Sequence, residues 1–80
     1  MSITPEQCRM ARAALRLSAA QLAETAKVGV MTVSSFERGN DAYASTIDKL
    51  QVALEAAGVE FIPDGSPSGG GGPGVRLRAK

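Results

Sequence analysis

The chain has no histidine and no tryptophan, one cysteine, and three aromatic residues, Phe36, Tyr43 and Phe61. Without histidine it lacks the commonest general base and the commonest metal ligand. With Cys8 alone, no disulfide forms within the chain and no cysteine-based zinc site can be assembled. The expected state of Cys8 is a buried structural thiol. No apolar run approaches the roughly 18 residues of a membrane-spanning helix. The opening MSITPEQC has neither the charged start nor the apolar core of a secretory signal, so a cytoplasmic location is expected. No carboxylates pair in a catalytic pattern, no metal cluster is spaced along the chain, and no long loop suits an active site. Accordingly no enzyme activity, catalytic residue, metal or cofactor is expected.

What is present is a globular composition, 44% hydrophobic and 21% charged over 80 residues. A chain of this size buries only about 60% of the surface that its unfolded form exposes and is marginal alone. Association with a second copy is therefore expected. The net charge is +1. Residues 1–58 hold six basic side chains (Arg9, Arg12, Arg16, Lys27, Arg38, Lys49) and six acidic ones (Glu6, Glu24, Glu37, Asp41, Asp48, Glu55). That stretch is neutral, which is weak footing for a nucleic-acid binder, because phosphate neutralisation supplies most non-specific affinity.

Helix signals recur along residues 1–58. Thr4-Pro5-Glu6-Gln7 reads as a capped start, with Pro5 at the first helical position, Gln7 three past the cap and Ile3 as a staple. Cys8, Ala11 and Leu15 follow at helical spacing with Ala14 beside them, which predicts a helix over 5–16. Ser18 and Gln21 form a second capping box, and Leu22, Ala23 and Ala26 form the stripe of a helix over 18–25. Val28-Gly29 marks a turn. Val33 and Phe36 lie one turn apart in a third helix over 30–38, ended by Gly39-Asn40. Ser45 and Asp48 suggest a third capping box, with Ile47, Leu50, Leu54 and Ala57 behind it and Gly58 as the stop.

Short helices with a tight turn between the second and third suggest a helix-turn-helix. Leu17-Ser18-Ala19-Ala20-Gln21-Leu22-Ala23, followed by Phe36-Glu37-Arg38-Gly39, resembles the "LSQxxLA…ERG" pattern of Cro/phage-repressor (XRE) type regulators, over about residues 5–58. The resemblance implies an all-α fold, a lambda-repressor-like helix-turn-helix bundle of four helices. It puts Ala23 at the close crossing of the second and third helices, and Leu22, Val28, Val33 and Phe36 at buried positions. It pairs Arg12 with Glu37 in a salt bridge across the first and third helices. It implies a phosphate contact at the start of the second helix, involving Ser18 and Gln21, and a third helix lying in the major groove of DNA. Lys27, Val30, Met31, Thr32, Ser34, Ser35 and Arg38 then face base edges or phosphates. Hydroxyls bond either kind of group, and Val or Met can touch a thymine methyl. The pattern's glutamine at the second helix is Ala19 here, and its turn glycine is Lys27. Val30 and Ser35 stand where arginine or glutamine is common.

Beyond Gly58 the period changes. Val59-Glu60-Phe61-Ile62 and Val75-Arg76-Leu77-Arg78 are β-prone. Between them lies linker composition, Pro63 to Ser68 and the run Gly69–Gly72. The reading is residues 1–58 as the helix-turn-helix unit and 59–80 as a strand, a glycine-rich linker and a strand. Pairing of these strands, within one chain or between two, is left open. Val59, Phe61, Ile62, Val75 and Leu77 are the candidate dimer residues. Arg76, Arg78 and Lys80 form either a solvated strand face or a backbone-contacting arm.

The function expected is a sequence-specific DNA-binding transcriptional regulator, with repression the expected mode, acting as a homodimer on a two-fold operator in double-stranded DNA. Two alternatives keep the fold. One is a protein-binding module such as an antiactivator, favoured by the neutral charge and the apolar Val30-Met31. The other is an antitoxin, whose C-terminal strands would meet a toxin. No membrane partner is expected.

Overall fold

Two capping boxes start the first two helices. In the computed structural model, which describes residues 2–63, 65 and 72–78, Thr4 accepts from the Gln7 amide at 3.1 Å and the Gln7 side chain accepts from the Thr4 amide at 2.9 Å. This opens α1 (Pro5–Leu15). Ser18 and Gln21 repeat the exchange at 3.0 and 2.8 Å and open α2 (Ala19–Ala26). Each box satisfies two amides that a helix start would leave unpaired. Both helices stop at a non-glycine residue in the left-handed region, Arg16 (φ 58°) and Lys27 (φ 59°). Then come α3 (Val30–Glu37), α4 (Ala44–Ala57), and the strands β1 (Val59–Ile62) and β2 (Gly74–Leu77).

The first three helix boundaries differ from expectation by at most one residue: Arg16, Ser18 and Arg38 are caps outside the helices, and α2 runs one residue further, to Ala26. The start of the fourth helix differs in kind. Ser45 and Asp48 do not cap it; Tyr43 is the N-cap, without a side-chain bond, and Ser45 lies inside the first turn. The Tyr43 carbonyl accepts from Thr46 and Ile47, both at 3.0 Å. Ala42 and Ile47 pack on the core, and that packing sets where the helix begins. Ala44 and Ser45, at this start, are exposed, so their amides are open to solvent and need no side-chain cap. Gly58, at φ 122°, ends α4 in a conformation that favours glycine.

The core is made by one stripe from each helix. Cys8 and Ala11 of α1 meet Leu22, Ala23 and Ala26 of α2, Val33 and Phe36 of α3, and Leu50 and Leu54 of α4. Leu22, Leu50 and Leu54 are fully buried, each stabilising by about 1.5–3 kcal/mol relative to exposure. Ile3 closes the end ahead of α1. Ala14 and Ala57, expected on the stripes, are exposed; Leu15 and Ala53 hold the partly buried places beside the core.

The strands pair antiparallel within the chain, Val59 opposite Leu77 through Ile62 opposite Gly74. Two of the candidate dimer residues, Val59 and Phe61, are consumed by this arrangement, because both are buried in their own chain's core. Ile62 and Val75 are half-buried, and Leu77 is 57% exposed. Gln7 ties the sheet to α1. Its buried Nε2 donates to the carbonyls of Ile62 (3.1 Å) and Gly74 (3.0 Å), so all its amide groups have partners. Arg76 pairs with Glu60 across the outer face. Arg78 bonds the Glu55 carbonyl near the end of α4, where the helix dipole favours a cation. Arg76 thus lies on a solvated strand face, and Arg78 is exposed beside the end of α4. The expected linker at 64 and 66–71, and Lys80, lie outside the described residues. No helix among the described residues is long and apolar enough to cross a membrane.

Candidate functional site

The turn from α2 to α3 is held by its backbone. Lys27 takes the left-handed conformation, and the Val28 amide returns to the Ala23 carbonyl at 3.0 Å. A non-glycine residue there costs about 1 kcal/mol. Ala23 is buried beneath the turn, and Val28 packs against the core from above. Gly29 then caps α3, accepting from Thr32 and Val33 at 3.1 and 3.2 Å.

Helical spacing divides α3 into two faces. Val33, Phe36 and Glu37 are buried. Val30 (44% exposed), Met31 (74%), Thr32 and Arg38 face solvent, while Ser34 and Ser35 are half-buried. Val30, Ser34 and Arg38 form one row, and Met31 and Ser35 the next. The Ser35 hydroxyl accepts from Asn40 Nδ2 at 3.2 Å, which ties the end of α3 to the chain beyond it.

What orients α3 is a carboxylate. Glu37 receives two charged bonds from Arg12, Nε to Oε2 at 2.7 Å and Nη2 to Oε1 at 2.6 Å. The Cys8 thiol donates to the same Oε2 at 3.1 Å. Arg12 Nη1 also bonds the Leu17 carbonyl at 3.1 Å, and Arg9 bonds the Glu37 carbonyl. The Glu37 side chain is 7% exposed and that of Arg12 23%. Burial alone would raise the Glu37 pKa; the bonds from Arg12 and Cys8 and the charges of Arg12 and Arg9 outweigh it and hold the carboxyl below its ordinary value. Arg12 is pushed up by its bond to Glu37. The Cys8 thiol is pushed up to about 12, by burial and then by its bond to the carboxylate. It is therefore a thiol, not a thiolate, at any physiological pH, and its role is structural.

The expected surface residues fall into three groups. Met31, Thr32 and Ser35 line one open groove of about 590 Å³ with Asp41, Ala42, Tyr43 and Thr46. Ser18 and Gln21 sit together at the start of α2, bonded to each other, and Lys27 stands at its far end. Val30, Ser34 and Arg38 lie along α3 beside the groove-lining row. Sequence reasoning missed Tyr43, which is 84% exposed on the groove. The available signal was a lone tyrosine in a polar loop just after the helix-ending Gly39-Asn40. No protein-family model matches the chain, and no match was found among curated proteins.

Proposed function

We propose that the chain is a sequence-specific DNA-binding transcriptional regulator in which α2, the Lys27–Gly29 turn and α3 act as a lambda-repressor-like helix-turn-helix. The observation that carries this reading is α3 itself. It is a short helix with its inner face locked by Val33, Phe36 and the Arg12–Glu37 pair, and its outer face presents Val30, Met31, Thr32 and Arg38 to solvent. A rigid helix with a free face suits the major groove, where methyl contacts and hydroxyl bonds discriminate base edges. Arg38 is the one long cationic side chain on that face, so base reading rests on van der Waals contact and DNA deformability. One copy reads one half-site; a two-fold operator takes two.

Fluorescence anisotropy on DNA upstream of the chain's own gene tests this. Sequence-preferring binding is expected, with a shallow salt slope of roughly −2 to −5 for a dimer. Met31→Ala should relax the preference, whereas Arg38→Ala should weaken all sequences alike and flatten the slope by about 1 per subunit. Absence of sequence preference at low salt would overturn the reading.

A second reading is favoured by one observation. The groove flanked by the exposed Met31 and Tyr43 also contains Asp41, a carboxylate that repels phosphate and accepts bonds from a protein. In that reading the outer face of α3 binds a protein partner. Val30→Asp, at the helix start where an acid is tolerated, separates the two. DNA affinity left intact with partner binding abolished would favour the protein-binding module.

A further inference from the structure

We propose that two copies of the chain join through the outer edge of β2, antiparallel, with Val75 of one opposite Leu77 of the other. The Arg78 amide donates to the Gly58 carbonyl at 2.8 Å, which makes Gly58 and Arg78 a hydrogen-bonded pair. Such pairs alternate along an antiparallel ladder. In the observed register, Glu60–Arg76 and Ile62–Gly74 are then hydrogen-bonded pairs, and Val59–Leu77 and Phe61–Val75 are not. Gln7 agrees with this phase, since its Nε2 reaches the carbonyls of Ile62 and Gly74 together. The amides and carbonyls of Val75 and Leu77 therefore point away from β1. Outside the ladder, no backbone hydrogen bond among the described residues reaches them, and an open strand edge is a template for another strand.

The edge fits a second copy of itself. With Val75 opposite Leu77, both residues use their donor and acceptor in both copies, a self-complementary contact about a two-fold axis. Centring the pairing on Val75 instead sets Leu77 opposite Pro73, which has no amide to give. Side chains agree as well. Val75 and Leu77 share the face of Val59 and Phe61, yet Leu77 remains 57% exposed. The second copy brings Val75 against it and continues the apolar layer. On the other face Arg76 meets Arg76, but each is already drawn across its own ladder to Glu60, so that row sums to zero charge.

Sedimentation equilibrium of the full chain, with no DNA present, tests the pairing and separates its failure from that of the DNA reading. Leu77→Pro removes an outward amide that the monomer does not use. It should leave the far-ultraviolet circular dichroism unchanged and weaken dimerisation about thirtyfold, the loss of two hydrogen bonds of about 1 kcal/mol each. Independently, Arg76→Cys places two thiols on Cα atoms about 4.5 Å apart, within disulfide range. It should cross-link under mild oxidation while Cys8 stays reduced. A wild-type chain that stays monomeric at high micromolar concentration overturns the proposal. So does a dimerisation constant that Leu77→Pro leaves unchanged, or an Arg76→Cys chain that does not cross-link.

Discussion

Replacing Glu37 by alanine tests the reasoning about the ion pair most directly. The substitution removes both charged bonds to Arg12 and the acceptor of the Cys8 thiol. Arg12 is left about a quarter exposed, with one bond, to the Leu17 carbonyl, remaining. Breaking a buried pair costs about 3–5 kcal/mol, and the partial exposure of Arg12 sets the expectation at the lower end, about 3 kcal/mol. A chain of this length is stable by about 4–12 kcal/mol in all. The melting temperature should fall by about 12–24 °C, at about 4–8 °C per kcal/mol. Arg12→Ala should cost more, since it strands the more deeply buried carboxylate. Arg12→Met with Glu37→Leu should recover most of the loss, because a well-packed apolar pair replaces a buried ion pair at little cost. The pH dependence has a definite sign. The Glu37 pKa in the folded chain lies below its unfolded value, so its contribution is complete above the unfolded value, near pH 4.3, and is lost as pH falls through the folded one. The wild type should therefore lose stability in acid more steeply than Glu37→Gln. Urea unfolding measures all of this. A loss under about 0.5 kcal/mol for Glu37→Ala is what an exposed pair gives and would refute the argument.

Other expectations concern single positions. Gln7→Glu keeps the shape but removes the donors to Ile62 and Gly74; it should destabilise by about 1–3 kcal/mol at pH 7 and recover in part toward pH 4, as protonation restores one donor. Equal loss at both pH values would count against the bridging role of this side chain. Lys27→Gly should gain about 0.5 kcal/mol in urea unfolding, because glycine takes a φ of 59° without strain and gives back part of the gain as unfolded-state entropy. A destabilised variant would show that the lysine side chain packs usefully. Cys8 should react with iodoacetamide only through unfolding, at a rate that tracks urea concentration; fast alkylation in native buffer would contradict its burial and raised pKa.

The parts of this fold that the sequence determined are local. Thr4 with Gln7, and Ser18 with Gln21, exchange bonds over three residues, so each box is visible in four letters of sequence. The buried stripes of α1 to α3 repeat at the helical period, and the two β-prone segments stand apart from that period. What tertiary structure decided depends on distance. Gln7 bonds carbonyls 55 and 67 residues away, and nothing near it in sequence announces that second role. Ser45 and Asp48 have the letters of a cap but lose to the packing of Ala42 and Ile47, because a bond that water can replace is weaker than a core contact that it cannot. Whether β1 pairs with β2 of its own chain was undecidable from β-propensity, which is blind to partner. It is settled by Val59 and Phe61 being drawn into the core and by Gln7 bridging both strands. Likewise the exposure of Tyr43 beside Met31 follows from how the loop before α4 folds back along α3, a long-range outcome that no periodicity encodes.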